Sequence, residues 1–257
     1  MEPIKRVVKL GGRAQSADTL ASLIASAWRT SGAMCVVHGG GDEISALQRK
    51  LGGEPHFAGG RRITTAPDLD IIRMVLSGVV NKRLVALFNA AGAPAVGISG
   101  EDASLISAKA LGIAEFGYVG MPVDINTTLI ETLWLAGLLP VVSPLATDAQ
   151  NPGTALNVNG DDAAAAIAVS LGADELLLVA DVAGVLDSSG RVIDQLDIDE
   201  ARSLIASGVA AGGMAAKLEA AYAALAGGVQ SVRIADIGAL EDLECGTLIT
   251  LATVGAK

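Results

Sequence analysis

Short apolar runs alternate along this chain with segments whose apolar residues recur every three or four positions. The runs read as strands buried on both faces and the periodic segments as helices laid over them, the pattern of an α/β fold with a mainly parallel sheet. Val7 and Val8 open the first strand, and Leu20, Leu23, Ile24, Ala27 and Trp28 then share one helical face, with Ser16 or Asp18 as its cap and Gly32 as its stop. Residues 33–37 form a second strand and residues 42–51 a helix. Residues 67–91 predict one long helix, with Leu69, Ile72, Leu76, Val79 and Val80 on its buried side, Pro67 in its first turn and Gly92 at its end. Residues 95–98 and 139–142 are further strands, whereas residues 109–126 read as turns because of Gly117 and Gly120. Residues 161–171 form an alanine-rich helix and residues 175–180 a strand. Asp187-Ser188-Ser189-Gly190 between Val185-Leu186 and Arg191-Val192-Ile193 signals a hairpin. Residues 214–225 are helical, and residues 229–234 and 247–251 extended. No repeat or low-complexity linker interrupts the pattern, so two closely joined lobes are expected, residues 1–174 and 175–257.

Composition narrows the partners. Of 257 residues, 51% are hydrophobic, and 28 acidic against 18 basic side chains give a net charge of −10, which speaks against a nucleic-acid-binding face. Aromatics at 3% leave little for base stacking. The longest uncharged apolar stretch, residues 132–147, contains Gly137, Pro140 and Pro144 and falls short of the ~18 residues of a membrane span. Glu2, Lys5, Arg6 and Lys9 leave no apolar core for a signal peptide, so a cytoplasmic location is expected. Cys35 and Cys245 have no CxxC spacing, fit a reducing compartment and read as structural.

Two glycine-rich turns follow the first two strands: Lys9-Leu10-Gly11-Gly12, and His38-Gly39-Gly40-Gly41 ahead of a helix. Such turns permit tight strand-to-helix connections, and they also let backbone N–H groups approach an anion at a helix N-terminus. Two at successive strand ends favour the second use, with Lys9 adding a point charge. GxxxxGK[ST] and GxGxxG are both missing, so neither a P-loop nor a dinucleotide fingerprint is present. His38-Gly39-Gly40-Gly41 could be an esterase oxyanion hole. That enzyme needs a GxSxG elbow and a downstream histidine, and the chain has only His38 and His56. His38 reads as a turn residue, and a zinc site is not expected. Asn157, Asn159 and Asp161 precede a helix and could simply cap it. Lys217 could be a solvated helix residue, and Arg62 either a surface charge or a carboxylate clamp.

Taken in order, VVKLGG (7–12), VVHGGG (36–41), GRRIT (60–64), MVLSGVVNKRLV (74–85), AVGISGED (95–102), NVNGDDAA (157–164), DVAGVL (181–186) and GGMAAK (212–217) resemble the amino-acid kinase family. Within it, the resemblance is to the branch that phosphorylates N-acetyl-L-glutamate in arginine biosynthesis. It implies a three-layer αβα sandwich with an eight-stranded, mainly parallel central sheet. The first lobe would bind the acylated amino acid and the second ATP, with Mg²⁺ carried by the nucleotide and no resident metal. Lys9 and Lys217 would stabilise the transferring phosphoryl group, and Asp161 would hold both lysines and keep them protonated. Gly11, Gly12, Gly40 and Gly41 would donate N–H groups, and Arg62 and Asn157 would bind the substrate's α-carboxylate. Asp181, Val182, Ala183, Gly184, Val185 and Leu186, with Val209, Ala210 and Ala211, would line the nucleotide. The chemistry agrees: a carboxylate with pKa about 4.3 is already ionised and needs positioning and positive charge, not a base.

Arg13 after the glycines, Gly160 before Asp161, Ala180 before Asp181 and a shortened stretch over residues 235–245 depart from the family pattern. The eight residues before Lys9 leave no room for an extra N-terminal helix, so a homodimer without arginine inhibition is expected. Two alternatives stay open. One is a sibling kinase acting on aminoadipate or glutamate linked to a carrier protein. The other is a non-catalytic binding protein of the same fold, which retention of Lys9, Asp161 and Lys217 disfavours.

Overall fold

The structure, a computed structural model, describes residues 4–242 and 244–251. In chain order it contains β1 (Ile4–Leu10), α1 (Leu20–Ser31), β2 (Gly32–His38), α2 (Gly41–Lys50), β3 (Phe57–Ala58), β4 (Arg61–Arg62), α3 (Ala66–Arg73), α4 (Asn81–Ala90), β5 (Ala95–Ser99), β6 (Ile106–Ala110), α5 (Ile113–Phe116) and β7 (Val119–Ile125). It continues with α6 (Thr128–Leu135), β8 (Leu139–Ser143), β9 (Leu145–Asp148), β10 (Ala155–Val158), α7 (Gly160–Leu171), β11 (Glu175–Val179), β12 (Gln195–Asp197), α8 (Ile198–Ala206), α9 (Gly213–Ala226), β13 (Ser231–Ala235) and β14 (Thr247–Thr250).

Eight strands form the central sheet in the order β12-β14-β13-β11-β1-β2-β8-β5, and every neighbouring pair is parallel except β13 with β14. Alternate residues of the central strands feed two cores. Val7, Cys35, Leu176 and Leu178 pack against the alanine faces of α7 and α9, while Val8, Leu10, Met34 and Val36 pack against Leu20, Ile24 and Trp28 of α1 and against Ile72, Leu84 and Phe88. The small residues of α7 let it lie close over the sheet, which brings its N-terminus to the ends of β1 and β2. The three-layer sandwich agrees with the expectation.

Several local expectations are corrected. The segment read as turns contains the end of β6, α5 and β7, and β6 and β7 close with β9 and β10 into a small barrel. Gly117, at φ 68, does turn the chain, but Gly120 lies inside β7, where a Cβ would stand 2.8 Å from Leu156 Cδ1. Close packing, not a turn, requires that glycine. The long helix is continuous but winds as a π-helix over Met74–Val80 between α3 and α4. The extra residue per turn rotates the faces, so Leu76 and Val80 are buried while Val79 is exposed. Neither Ser16 nor Asp18 caps α1. A 3-10 turn over Arg13–Ser16 takes up that loop, and Thr19 holds the N-cap position without a side-chain bond. Gly32 stops α1 as expected, at φ 70. The hairpin expected around Asp187 is present in short form, with Leu186 bridging Val192 antiparallel, Asp187 N–H donating to Arg191 O at 2.8 Å and Ile193 N–H to Val185 O at 2.9 Å. Both cysteines are free; Cys35 is buried, whereas Cys245 is exposed and supports no core.

Candidate active site

The adjacent strands β1 and β2 both end in glycines, and the site is built on those ends. Lys9 is the penultimate residue of β1, in register with Val37 and Leu178. Gly11 then passes so close to β11 that a Cβ would stand 2.8 Å from the Val179 carbonyl oxygen, to which the Gly11 N–H donates at 3.1 Å. Its N–H is therefore engaged, which corrects the expectation of a free donor; Gly11 is needed for the close approach. Gly12 follows, exposed, its carbonyl accepting from the Gln15 N–H at 3.3 Å, and of Arg13 the structure describes the main chain only. At the end of β2, Gly40 sits where a Cβ would meet Leu76 Cδ2 at 2.7 Å. As the N-cap and first residue of α2, Gly40 and Gly41 have N–H groups that the helix does not use.

His38 is fully buried. Its Nδ1–H donates to the Gly39 carbonyl at 2.9 Å and its Nε2 accepts from Asn81 Nδ2 at 3.1 Å, and burial pushes its pKa down to about 4. It is neutral and structural, as read from the sequence, but it is the last residue of β2 and not part of the turn.

Asn159 caps α7 by accepting from the Asp161 N–H at 2.8 Å, which leaves the Asp161 carboxylate free to face the sheet. Its Oδ1 lies 2.9 Å from Lys9 Nζ and 2.9 Å from Lys217 Nζ. Lys217 comes from α9, which starts after Gly212 at φ 54, a left-handed turn that suits glycine. Lys9, Asp161 and Lys217 retain only 7%, 5% and 8% of their surface exposed. Burial alone would raise the Asp161 carboxyl, but the two ammonium charges and their hydrogen bonds outweigh it and hold the group below the usual carboxylate range. At Lys217, burial and then repulsion from Lys9 push the ammonium down to about 8, against the attraction of Asp161. Asp161 thus favours the charged form of Lys217, as expected, but does not outweigh desolvation.

Lys9, Gly40, Gly41, Arg62, Asn157 and Asp161 line one cavity of about 210 Å³, walled by Ile44, Phe57, Leu76 and Val119. Arg62 is buried; its Nη1 donates to Gln48 Oε1 and its Nη2 to Gly41 O and Ser45 Oγ, leaving two N–H donors for a ligand. Asn157 Nδ2 donates to Thr64 Oγ1 at 3.1 Å. Gly160 lies at the same wall, where a Cβ would stand 3.2 Å from Lys9 Cε. The nucleotide candidates are not part of this cavity. Asp181, Val182 and Ala183 are exposed beyond β11, and Gly184 and Val185 are buried, the Val185 N–H donating to Thr247 Oγ1 at 2.8 Å. Leu186, Val209 and Ala211 are exposed and Ala210 is buried. Gln48 is a site residue that the sequence reading missed. Its signal was a polar residue four positions after Ile44, on the one face of α2 that is buried.

The model of the amino acid kinase family matches residues 5–236. The chain belongs to that family. It is 47% identical over 234 residues to the acetylglutamate kinase of Paracoccus denitrificans, covering 90% of this chain and 76% of that one. It is 45% identical over 204 residues to the acetylglutamate kinase of Nostoc sp., covering 78% and 68%. Among solved structures of the same fold, smu.665 from Streptococcus mutans superposes with a TM-score of 0.87 at 31% identity, covering 97% of this chain and 99% of that one. Giardia carbamate kinase, at a TM-score of 0.71 and 18% identity over 98% and 100%, shares the fold alone.

Proposed function

We propose that this chain transfers the γ-phosphoryl group of ATP to the side-chain carboxylate of N-acetyl-L-glutamate, giving N-acetyl-L-glutamyl 5-phosphate in arginine biosynthesis. The observation that carries the reading is one carboxylate, Asp161, bonded to two buried ammonium groups beside a cavity that also holds Arg62 and Asn157. The acetylglutamate kinases to which the chain is similar supply the substrate.

Phosphoryl transfer between two anions needs charge neutralisation and alignment more than proton transfer. The attacking carboxylate oxygen bonds to the γ-phosphorus as the bond to the β–γ bridging oxygen breaks and ADP leaves; no proton moves. Lys9, which lines the cavity, neutralises the phosphoryl oxygens from the substrate side, and Lys217 does so from α9. Asp161 fixes both ammonium groups beforehand, so no reorganisation is needed as charge moves. Gly40 and Gly41 add N–H groups, and Arg62 and Asn157 hold the α-carboxylate. Among the described residues no three His, Cys, Asp or Glu side chains group around a possible metal position. The cations and N–H donors around Asp161 suit a phosphate better than a metal ion. Mg²⁺ carried by ATP supplies further neutralisation of the phosphates.

The nucleotide would lie along residues 181–186 and 209–211, in a C-terminal lobe of residues 175–257. Residues 1–174 would hold the amino acid and the contact of a cytoplasmic homodimer. The test is ATP-dependent acyl-phosphate formation trapped as a hydroxamate, comparing N-acetyl-L-glutamate, N-acetyl-L-aspartate, glutamate and N-acetyl-L-aminoadipate. Selective turnover of the first, abolished by Lys217→Ala, is expected. Nucleotide binding without turnover of any of the four overturns the reading.

A further inference from the structure

One half-buried ion pair beside the cavity has no part in this chemistry. The two residues of β4 point to opposite sides, as strand neighbours do. Arg62 reaches α2 through Gln48, Ser45 and Gly41, whereas Arg61 Nη1 donates to Asp162 Oδ2 of α7 at 2.5 Å. The hairpin of β3 and β4 therefore spans the cavity from α2 to α7, and its Phe57, Gly60, Arg61 and Arg62 line it. Phe57 stacks under the Arg62 guanidinium at 4.8 Å. Among the described residues, the other hydrogen bonds of residues 56–63 are those of the hairpin itself, Ile63 N–H to His56 O and Thr64 Oγ1 to Arg62 O. Arg61 thus ties the hairpin to α7, while Thr64, just beyond the hairpin, is held by Phe116, Tyr118 and Asn157. Asp162 directly follows Asp161, so the tie ends on the turn of helix that presents the carboxylate between the lysines. The Arg61 and Asp162 side chains are 21% and 12% exposed, buried enough for their contact to hold against solvent.

We propose that Arg61 and Asp162 are positioning residues for the amino-acid substrate: their ion pair straps the β3–β4 hairpin across the cavity and so fixes Arg62 and Phe57 over the bound molecule. This rests on the reading that the cavity takes an acylated amino acid. The pair acts on that substrate and not on the nucleotide, because neither residue belongs to the nucleotide candidates.

Replacing both partners with apolar residues, Arg61→Met with Asp162→Leu, removes the strap without leaving a buried charge, so thermal stability is retained. The expected result is a KM for N-acetyl-L-glutamate raised about tenfold, with KM for ATP and kcat within about twofold. Hydrogen exchange at the Ile63 amide is expected to quicken. Arg61→Lys restores KM in part. Should the double variant fail to fold, Asp162→Asn is measured in its place, with the same shift in KM expected. Unchanged KM and unchanged exchange in a folded variant overturn the proposal. If the unmodified protein does not turn over N-acetyl-L-glutamate, the functional reading fails instead, and the exchange rate still decides the strap.

Discussion

Asp161 bears two loads that a single substitution separates. Its charge holds two buried ammonium groups at 2.9 Å each, and its geometry aims them. Asp161→Asn keeps the shape and removes the charge, leaving Lys9 and Lys217 to repel each other in a site with little access to water. We expect kcat to fall about 10²- to 10³-fold, the usual loss when one preorganised electrostatic group is removed. Stability should drop by about 3 kcal/mol or more, because one partner of a buried ion pair is gone. Hydroxamate formation and urea unfolding measure the two effects. At this scale the sequence was informative for a chemical reason: glycines at two strand ends, two lysines, one aspartate and a shortage of histidine suit phosphoryl transfer to a carboxylate. Lys9, Asp161, Arg62 and Asn157 meet at one cavity. Energetic balance was not legible. That the Gly11 N–H is engaged by Val179, and that burial lowers Lys217, follow from distances that no spacing in the sequence encodes.

Among the elements, the long helix shows how a sequence can be right in type and wrong in phase. Leu69 and Ile72 fix its buried face, but the π-wound Met74–Val80 turns that face so that Leu76 enters the cavity wall and Val80 meets Gly40. Asn81 closes the π stretch. Its Nδ2 donates to Val141 O at 2.8 Å and to His38 Nε2 at 3.1 Å, linking the helix to β8 and to the end of β2. Asn81→Leu would leave His38 Nε2 buried without this donor, at about 1–3 kcal/mol, and would remove the side-chain bond to Val141 O. The expected loss, read from urea unfolding, is about 2 kcal/mol or more; an unchanged midpoint would remove Asn81 from the account. Seven of the eight central strands were legible because burial makes them continuous apolar runs, whereas β12, three residues long with only Leu196 buried, was not. Those of the small barrel were not. β9 and β10 are four residues each, Gly120 imitates a turn, and the two-residue strands β3 and β4 have no periodicity to detect.

For the molecule as a whole, Lys217 ties the pH dependence of activity to that of stability, with opposite signs. In the unfolded chain its pKa is the ordinary 10.5, and in the fold about 8. Below pH 8 the residue is charged in both states, and the fold bears the cost of burying it. Between about 8 and 10.5 the unfolded chain holds a proton that the folded one has lost, so this residue's contribution to stability rises with pH. The chemistry needs the cation, so over the same range activity falls. We expect kcat/KM for ATP to decline along a limb centred near pH 8. The limb of kcat should lie at higher pH, since bound phosphates favour the charged lysine. Thermal melts of Lys217→Met should lose that residue's share of the rise between pH 8 and 10.5 that the unmodified protein shows. A kcat/KM flat to pH 10, or an identical pH slope of melting in both proteins, would separate Lys217 from the catalytic charge. The link arises from the architecture: α7 and α9 lie over the sheet on alanine faces tight enough to desolvate the lysine, and the same closeness makes its charge effective on a phosphate.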